Sequence, residues 1–228
     1  MRVLAVDTSS ERGSVCVTDS GELLGEVRLA SSIQHSDRLF RSIDFLFQYL
    51  PFKLSDIDLF AAARGPGSFT GLRVGLAATE AFVSAHNKPG AGISTLEALA
   101  WKTGIYDIPI AVTIDARRGD VYGGLFRRVR GNGRPDTLVE DRPPVVLKPA
   151  QWLDALPRAP LVFCGDGAYR YRLLIEEQSG WSVHFMDLYL ASTIAELAVM
   201  PTSGPLAPLY IRKTDAEIAL EGVGRPNS

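Results

Sequence analysis

Apolar and polar positions alternate in twos at the start of the chain and recur every three or four residues soon after. That change of period marks the elements. Val3 to Val6, Ser14 to Thr18 and Leu23 to Leu29 read as three strands, with turns at Asp7 to Gly13 and Asp19-Ser20-Gly21. Val15 and Val17 alternate with Ser14, Cys16 and Thr18, which predicts an antiparallel meander covered on one face. From Gln34 to Leu50 the period becomes helical. Leu39, Ile43, Leu46, Phe47 and Leu50 form one stripe with Phe40 and Phe45 beside it, Ser36 or Asp37 can cap the start, and Pro51 stops it. Leu59 to Ala63 then reads as a short buried strand.

The next helix, about residues 70 to 86, has two apolar stripes. Gly71, Gly75, Ala78, Phe82 and Ala85 make one; Leu72, Leu76, Thr79 and Val83 make the other, and only Arg73 and Glu80 carry charge. A helix apolar nearly all round needs cover on more than one side, from its own core or from a partner. It is launched by Arg64-Gly65-Pro66-Gly67-Ser68-Phe69-Thr70-Gly71. Gly65 and Gly67 admit backbone angles that a Cβ forbids, Pro66 fixes φ between them, and Ser68 or Thr70 offers an N-cap oxygen. Such a turn suits either a phosphate held on backbone N–H groups or close packing of helix on sheet. It is not a P-loop, because the Gly-Lys-Ser/Thr ending is missing.

After a turn at Lys88-Pro89-Gly90 come a strand end, Ala91 to Ser94, and a short helix, Thr95 to Lys102. Gly104 to Pro109 reads as a boundary between two lobes, about 1–107 and 108–228. Beyond it lie strands at Ile110 to Ile114, Val121 to Arg128, Val145 to Leu147 and Leu161 to Cys164. Helical patches cover Ala150 to Leu156, Tyr169 to Gln178 and Ala191 to Met200. One echo links the halves. Ala5-Val6-Asp7 leads through polar residues to Gly13-Ser14-Val15, as Thr113-Ile114-Asp115 leads to Gly119-Asp120-Val121.

With 46% hydrophobic and 22% charged residues the composition is that of a soluble globular protein. The net charge of −2 argues against a chain that grips nucleic acid unaided, since phosphate neutralisation needs a basic surplus. Cys16 and Cys164 are far apart in apolar runs and read as buried free thiols. No apolar run approaches the ~20 residues of a membrane span, and no signal peptide is visible, so a cytoplasmic protein is expected.

Gly65-Pro66-Gly67-Ser68-Phe69-Thr70-Gly71-Leu72-Arg73-Val74-Gly75 resembles the signature of the TsaB family. So do Leu4-Ala5-Val6-Asp7-Thr8-Ser9 and Asp115-Ala116-Arg117-Arg118-Gly119-Asp120-Val121-Tyr122, with a weaker echo at Pro208-Leu209-Tyr210-Ile211-Arg212. The resemblance implies an α/β, duplicated actin-like ATPase fold with a reduced second lobe, whose tail from Leu209 packs back on the first. It implies a non-catalytic partner of TsaD, the transferase that makes threonylcarbamoyladenosine at position 37 of tRNA. TsaE would join in a larger complex, tRNA would be met only indirectly, and the chain alone would form a homodimer. The expected partner interface is Leu39, Ile43, Leu46, Phe47, Leu50, Leu72, Gly75, Leu76, Ala78 and Phe82. Arg73 is open between an interface anchor and a solvated charge.

Asp7, Thr8, Ser9, Asp115, Gly165 and Gly167 would form a vestigial nucleotide cleft. No resident cofactor is expected, which leaves room for weakly or interfacially bound ADP or ATP. TsaD-like proteins carry a His-x-Glu-x-His metal motif where this chain reads Thr95-Leu96-Glu97-Ala98-Leu99. Threonine and leucine are not transition-metal ligands in such a setting, and His35, His86 and His184 have no ligand spacing. No metal and no catalytic residue is therefore expected. A phosphotransferase and a peptidase are the competing activities. The first needs a catalytic acid and tight ATP binding, the second a metal or a triad.

Overall fold

The computed structural model describes residues 1–30, 35–201 and 203–211. Gln34 and Arg212 lie outside the described residues, as do the side chains of His35 and Ser36. Strands β1 (Arg2–Asp7), β2 (Arg12–Asp19), β3 (Glu22–Ala30), β4 (Leu59–Gly65) and β5 (Gly90–Ser94) form one sheet in the order β3-β2-β1-β4-β5. Strands β6 (Ile110–Asp115), β7 (Val121–Val129), β8 (Thr137–Leu147), β9 (Leu161–Cys164) and β10 (Trp181–Val183) form the other, in the order β8-β7-β6-β9-β10. Each sheet is an antiparallel three-strand meander extended by two parallel strands. The weak sequence echo is thus a full topological repeat.

The helices repeat too. In the first half α1 (His35–Tyr49) and α2 (Phe69–His86) lead into and out of β4, and α3 (Thr95–Lys102) follows β5. In the second, α4 (Pro149–Ala155) precedes β9, α5 (Asp166–Arg170) and α6 (Arg172–Glu176) follow it, and α7 (Ala191–Ala198) comes after β10. The α2 position is therefore filled by two short helices rather than one long one.

Strand alternation assigns the layers. Val3 and Ala5 of β1 face inward with Ile110, Val112 and Ile114 of β6, while Leu4 and Val6 face α1. The inner layer is α3 and α7, which lie between the sheets in a single core with Leu96, Leu99, Trp101, Ile194 and Leu197. A separate outer core joins Trp152, Leu153 and Phe163. Both third helices cross over: α3 contacts β6 and β7 of the other sheet, and α7 contacts β1 and β2. The expectation of one covered face for the first meander fails for this reason, since α7 covers the side of β1 and β2 that α1 and α2 leave open. Ala191 N–H donates to Ser14 Oγ at 3.0 Å, tying the start of α7 to β2.

The expected partner stripes are corrected here. Leu39, Ile43, Leu46 and Ala78 are buried in the layer between the helices and the first sheet, and Leu76 is buried as well. Phe47, Leu50 and Phe82 are half-buried against that layer, and Leu72 enters the inter-sheet core. Pattern alone cannot tell a core stripe from a partner stripe. What α1 leaves outside is the flanking set, Phe40, Phe45 and Tyr49; α2 leaves outside Ala77, Ala81, Ser84 and Ala85. Leu46→Glu should therefore cost about 4 kcal/mol or more in chemical denaturation, because it buries an unpaired carboxylate. Phe45→Glu one residue away should stay within ~0.5 kcal/mol of the parent.

Candidate functional site

The signature turn is built to bring α2 onto the β1–β2 turn. Ser68 N–H donates to Ser9 O at 2.6 Å, and Thr8 Oγ1 donates to Gly71 O at 2.7 Å. A methyl group at Gly67 would lie 2.4 Å from Ser9 O, one at Gly71 2.0 Å from Thr8 O, and one at Gly75 2.3 Å from Thr8 Oγ1. Of the two turn glycines only Gly65 has a positive φ, 106°; Gly67 is required by closeness. Pro66 is buried, and Ser68 is the N-cap, accepting from Gly71 N–H at 3.2 Å, while Thr70 is exposed and makes no cap. Small residues at Gly71 and Gly75 thus serve contact within the chain rather than approach by another helix.

Outside this seat, Phe69 is exposed and stacks near Tyr210 at 5.9 Å between ring centres. The Arg73 guanidinium lies 4.0 Å over Phe69 and its Nε reaches Tyr210 Oη at 3.4 Å. Residues 203–211 run along the first sheet: Gly204 pairs with Gly92, and Leu209 N–H donates to Arg64 O at 2.7 Å.

Between the two halves lies a cleft of about 470 Å³. Ser9, Gly67, Ser68 and Phe69 line it from one side, and Asp115, Arg117 and Asp166 from the other. Gly165 and Gly167 stand behind it: a methyl at either would strike the Thr113 carbonyl oxygen, at 2.5 and 2.9 Å. They seat α5 on β6 as Gly71 seats α2. Sequence reasoning named these glycines and missed Asp166 between them, whose Oδ1 accepts from Asp115 N–H at 3.0 Å. It also missed Glu11 and Arg117, which meet at 3.4 Å at the cleft.

The cleft is acidic. Glu11, Asp115 and Asp166 line it, with Arg117 as the one cation among its lining residues. Asp115 is paired with Arg170 at 3.0 Å, and burial raises the Asp166 carboxyl above its ordinary value. The backbone N–H groups of Ser9, Ser68, Gly71, Asp115 and Arg117 all bond to oxygens of the chain itself. A phosphate held at these turns would have to use donors other than these five.

Asp7 lies deeper than the cleft lining, 1% exposed. Its Oδ1 accepts from Ser9 N–H and Ser9 Oγ–H at 2.9 and 2.7 Å, and its Oδ2 has no hydrogen-bond partner among the described residues. Burial pushes its pKa up to about 6. On the possible metal position, Thr95 and Leu99 are buried side chains of α3, and burial raises the Glu97 carboxyl between them. Among the described residues no three His, Cys, Asp or Glu side chains converge as metal ligands.

Two parallel-extended meanders with exchanged third helices and a cleft between them define a duplicated, two-lobed α/β fold of the actin-like ATPase class. Residues 26–175 match the family model of TsaD, tRNA N6-adenosine threonylcarbamoyltransferase. The chain is 29% identical to the tRNA threonylcarbamoyladenosine biosynthesis protein TsaB of Bacillus subtilis, over 79% of this chain and 77% of that one. It is 34% identical to TsaB of Escherichia coli over 56% of each chain. A crystal structure from Pseudomonas aeruginosa, of a protein described as similar to the peptidase YeaZ, superposes with a TM-score of 0.78 at 25% identity, covering 92% of this chain and 99% of that one. The chain belongs to the TsaB family.

Two measurements follow from this geometry. Gly71→Ala normally stabilises a helix by about 1 kcal/mol. Here urea denaturation should show a loss of about 1–3 kcal/mol, because the methyl meets backbone that cannot give way. For Asp7, a folded pKa near 6 against an ordinary value of 3.8 means that the native carboxyl keeps its proton longer than the unfolded one. Its contribution is fully present below pH ~4 and lost as pH rises through 6, a change of ~3 kcal/mol. Asp7→Asn should gain about that much on the parent between pH 4 and pH 7.5, read as the difference of their unfolding free energies.

Proposed function

We propose that this chain is a non-catalytic subunit in the biosynthesis of threonylcarbamoyladenosine on tRNA, acting by binding a TsaD-type transferase. The observation that carries this reading is the outer face of α1 and α2. On one flank of α1 Phe45 and Tyr49 lie 5.2 Å apart, tilted, and are 52% and 75% exposed; on the other flank Phe40 packs edge-on to Phe82 of α2 at 6.2 Å, and α2 exposes small side chains. Large aromatics left exposed on both flanks of a helix mark an interaction site, and small residues let a partner helix come close. A stable interface of this kind buries roughly 1,600 Å² in total. The same face would pair two copies of the chain in the absence of the transferase, and TsaE would join the assembled pair.

The cleft supports a subunit without its own chemistry. Arg117 and Arg170, the cations nearest a triphosphate, are already held by Glu11 and Asp115, and five of the turn N–H groups are engaged within the chain. Nucleotide would therefore bind weakly or at an interface. A phosphotransferase or a peptidase finds less support: Asp7 is sealed from the cleft, and Thr95 and Leu99 stand where metal ligands would be. We place the protein in the cytoplasm, where tRNA is modified; no helix among the described residues is long and apolar enough to cross a membrane.

Phe45→Glu combined with Tyr49→Glu should leave the thermal unfolding curve within a few degrees of the parent. Its affinity for the organism's TsaD-type protein, measured by isothermal titration calorimetry, should fall by about a hundredfold, the effect of losing two buried aromatic anchors. Unchanged affinity in the folded double variant would move the partner off this face.

A further inference from the structure

A second cleft lies at the far edge of the second sheet, between the β7–β8 hairpin and the ends of α3 and α7. It measures about 370 Å³ and is lined by Trp101, Arg134, Leu138, Leu197, Met200 and Pro201, among others. The hairpin reads Arg127-Arg128-Val129-Arg130-Gly131-Asn132-Gly133-Arg134, a concentration of arginine that a net charge of −2 conceals.

These arginines are not equivalent. Arg127 is held by Asp141 at 2.6 Å. Arg128 is paired with Asp136 at 3.3 Å, and the Tyr106 hydroxyl donates to the same carboxylate. The Arg128 guanidinium lies 3.8 Å over the Trp101 ring and 4.8 Å from that of Tyr106, and Arg130 lies 4.2 Å over Tyr106. The result is a ladder, Trp101–Arg128–Tyr106–Arg130, whose inner cation is neutralised and whose outer one is exposed. Neither Arg130 nor Arg134 has a carboxylate partner among the described residues. Two exposed cations thus flank an apolar cavity, one of them held in place by an aromatic ring.

The geometry points to an RNA-binding site, in which Arg130 and Arg134 hold backbone phosphates and the cleft takes an unstacked base. An acidic protein segment would satisfy the same charges. The cavity favours RNA, because its few hundred Å³ fits one nucleoside, whereas a protein partner needs roughly 800 Å² of each surface. Guanidinium planes stacked on aromatics are also a recurring means of holding single-stranded RNA. Two phosphate contacts are too few for tight binding, so the site orients a tRNA that the transferase also grips. This inference rests on the proposed role in tRNA modification and revises its expectation of purely indirect contact.

The test is fluorescence anisotropy of the full chain with a labelled, unmodified tRNA transcript across a salt series. The variant is Arg130→Ala with Arg134→Ala; the control, Arg158→Ala with Arg172→Ala, removes the same charge from the outer side of the second sheet. Wild type and control should bind the transcript with salt-dependent affinity. The variant should lose about tenfold, with the salt slope falling by roughly one per arginine. Binding to the TsaD-type protein, followed in parallel, should be the same for all three, so its loss would count against the proposed function and not this site. The inference is overturned if wild type leaves the anisotropy unchanged, if the control loses as much as the variant, or if an aromatic, glutamate-rich peptide displaces the RNA as readily as unlabelled tRNA does.

Discussion

The structure hangs on the contact between the Thr8–Ser9 turn and the first two turns of α2. Backbone meets backbone there, with Ser68 N–H on Ser9 O, and Thr8 Oγ1 on Gly71 O. A side chain at Gly67, Gly71 or Gly75 would hold the two apart. Once α2 is seated, β4 must leave it beside β1, and the Leu209 amide can reach the Arg64 carbonyl that the turn presents. The longest ordered run of the signature is therefore explained by packing. It leaves little of the motif for a ligand to use.

The duplicated plan explains why the two halves share a core rather than each closing its own. Neither sheet is covered on its inner face by its own third helix alone. The exchange of α3 and α7 gives each sheet a helix from the other half, so the inner residues of β1 and β6 lie in one apolar cluster. Burial of this kind contributes about 25 cal/mol per Å² of apolar surface, so separating the halves would sacrifice much of the stability of both. That constraint also limits motion. A cleft whose two walls share a core cannot open widely as a nucleotide-driven hinge requires.

Much of this was legible in the chain. The strands from Val3 to Leu29, the helix from Thr95 to Lys102 and the turn at Gly65 were read to within a residue or two, because period and turn chemistry are local signals. Other features were not. The tertiary cover of the first meander depends on α7, which is far away in sequence. The three-residue β10 is too short to show a period, and β8 begins at Thr137, eight residues before the apolar run that revealed its end. The stripes expected to meet a partner are largely core, because the strongest stripe of an amphipathic helix is the one its own core takes. Phe45 and Tyr49, which break the stripe, were the informative residues. Acids in a turn likewise do not show which one is sealed: Asp7 and Asp115 occupy equivalent positions, yet only Asp115 lines the cleft.

That asymmetry bears on how the cleft between the two halves is held together. A nucleotide site must keep donors free and carboxylates poised to hold a cation. Here one acid is buried with an unpartnered oxygen, another is neutralised by Arg170, and the turn amides are bonded internally. The pairing of Asp115 and the bonded turn amides stabilise the cleft as it stands, whereas the buried Asp7 carboxyl costs stability once it ionises. The shared core and the Ala191–Ser14 bond fix the relation of the two halves without a ligand, and that fixes the relation of the outer helices of the first sheet to the hairpin of the second. Surfaces held in a fixed relation meet a binding partner already positioned, which lowers the ordering cost of association.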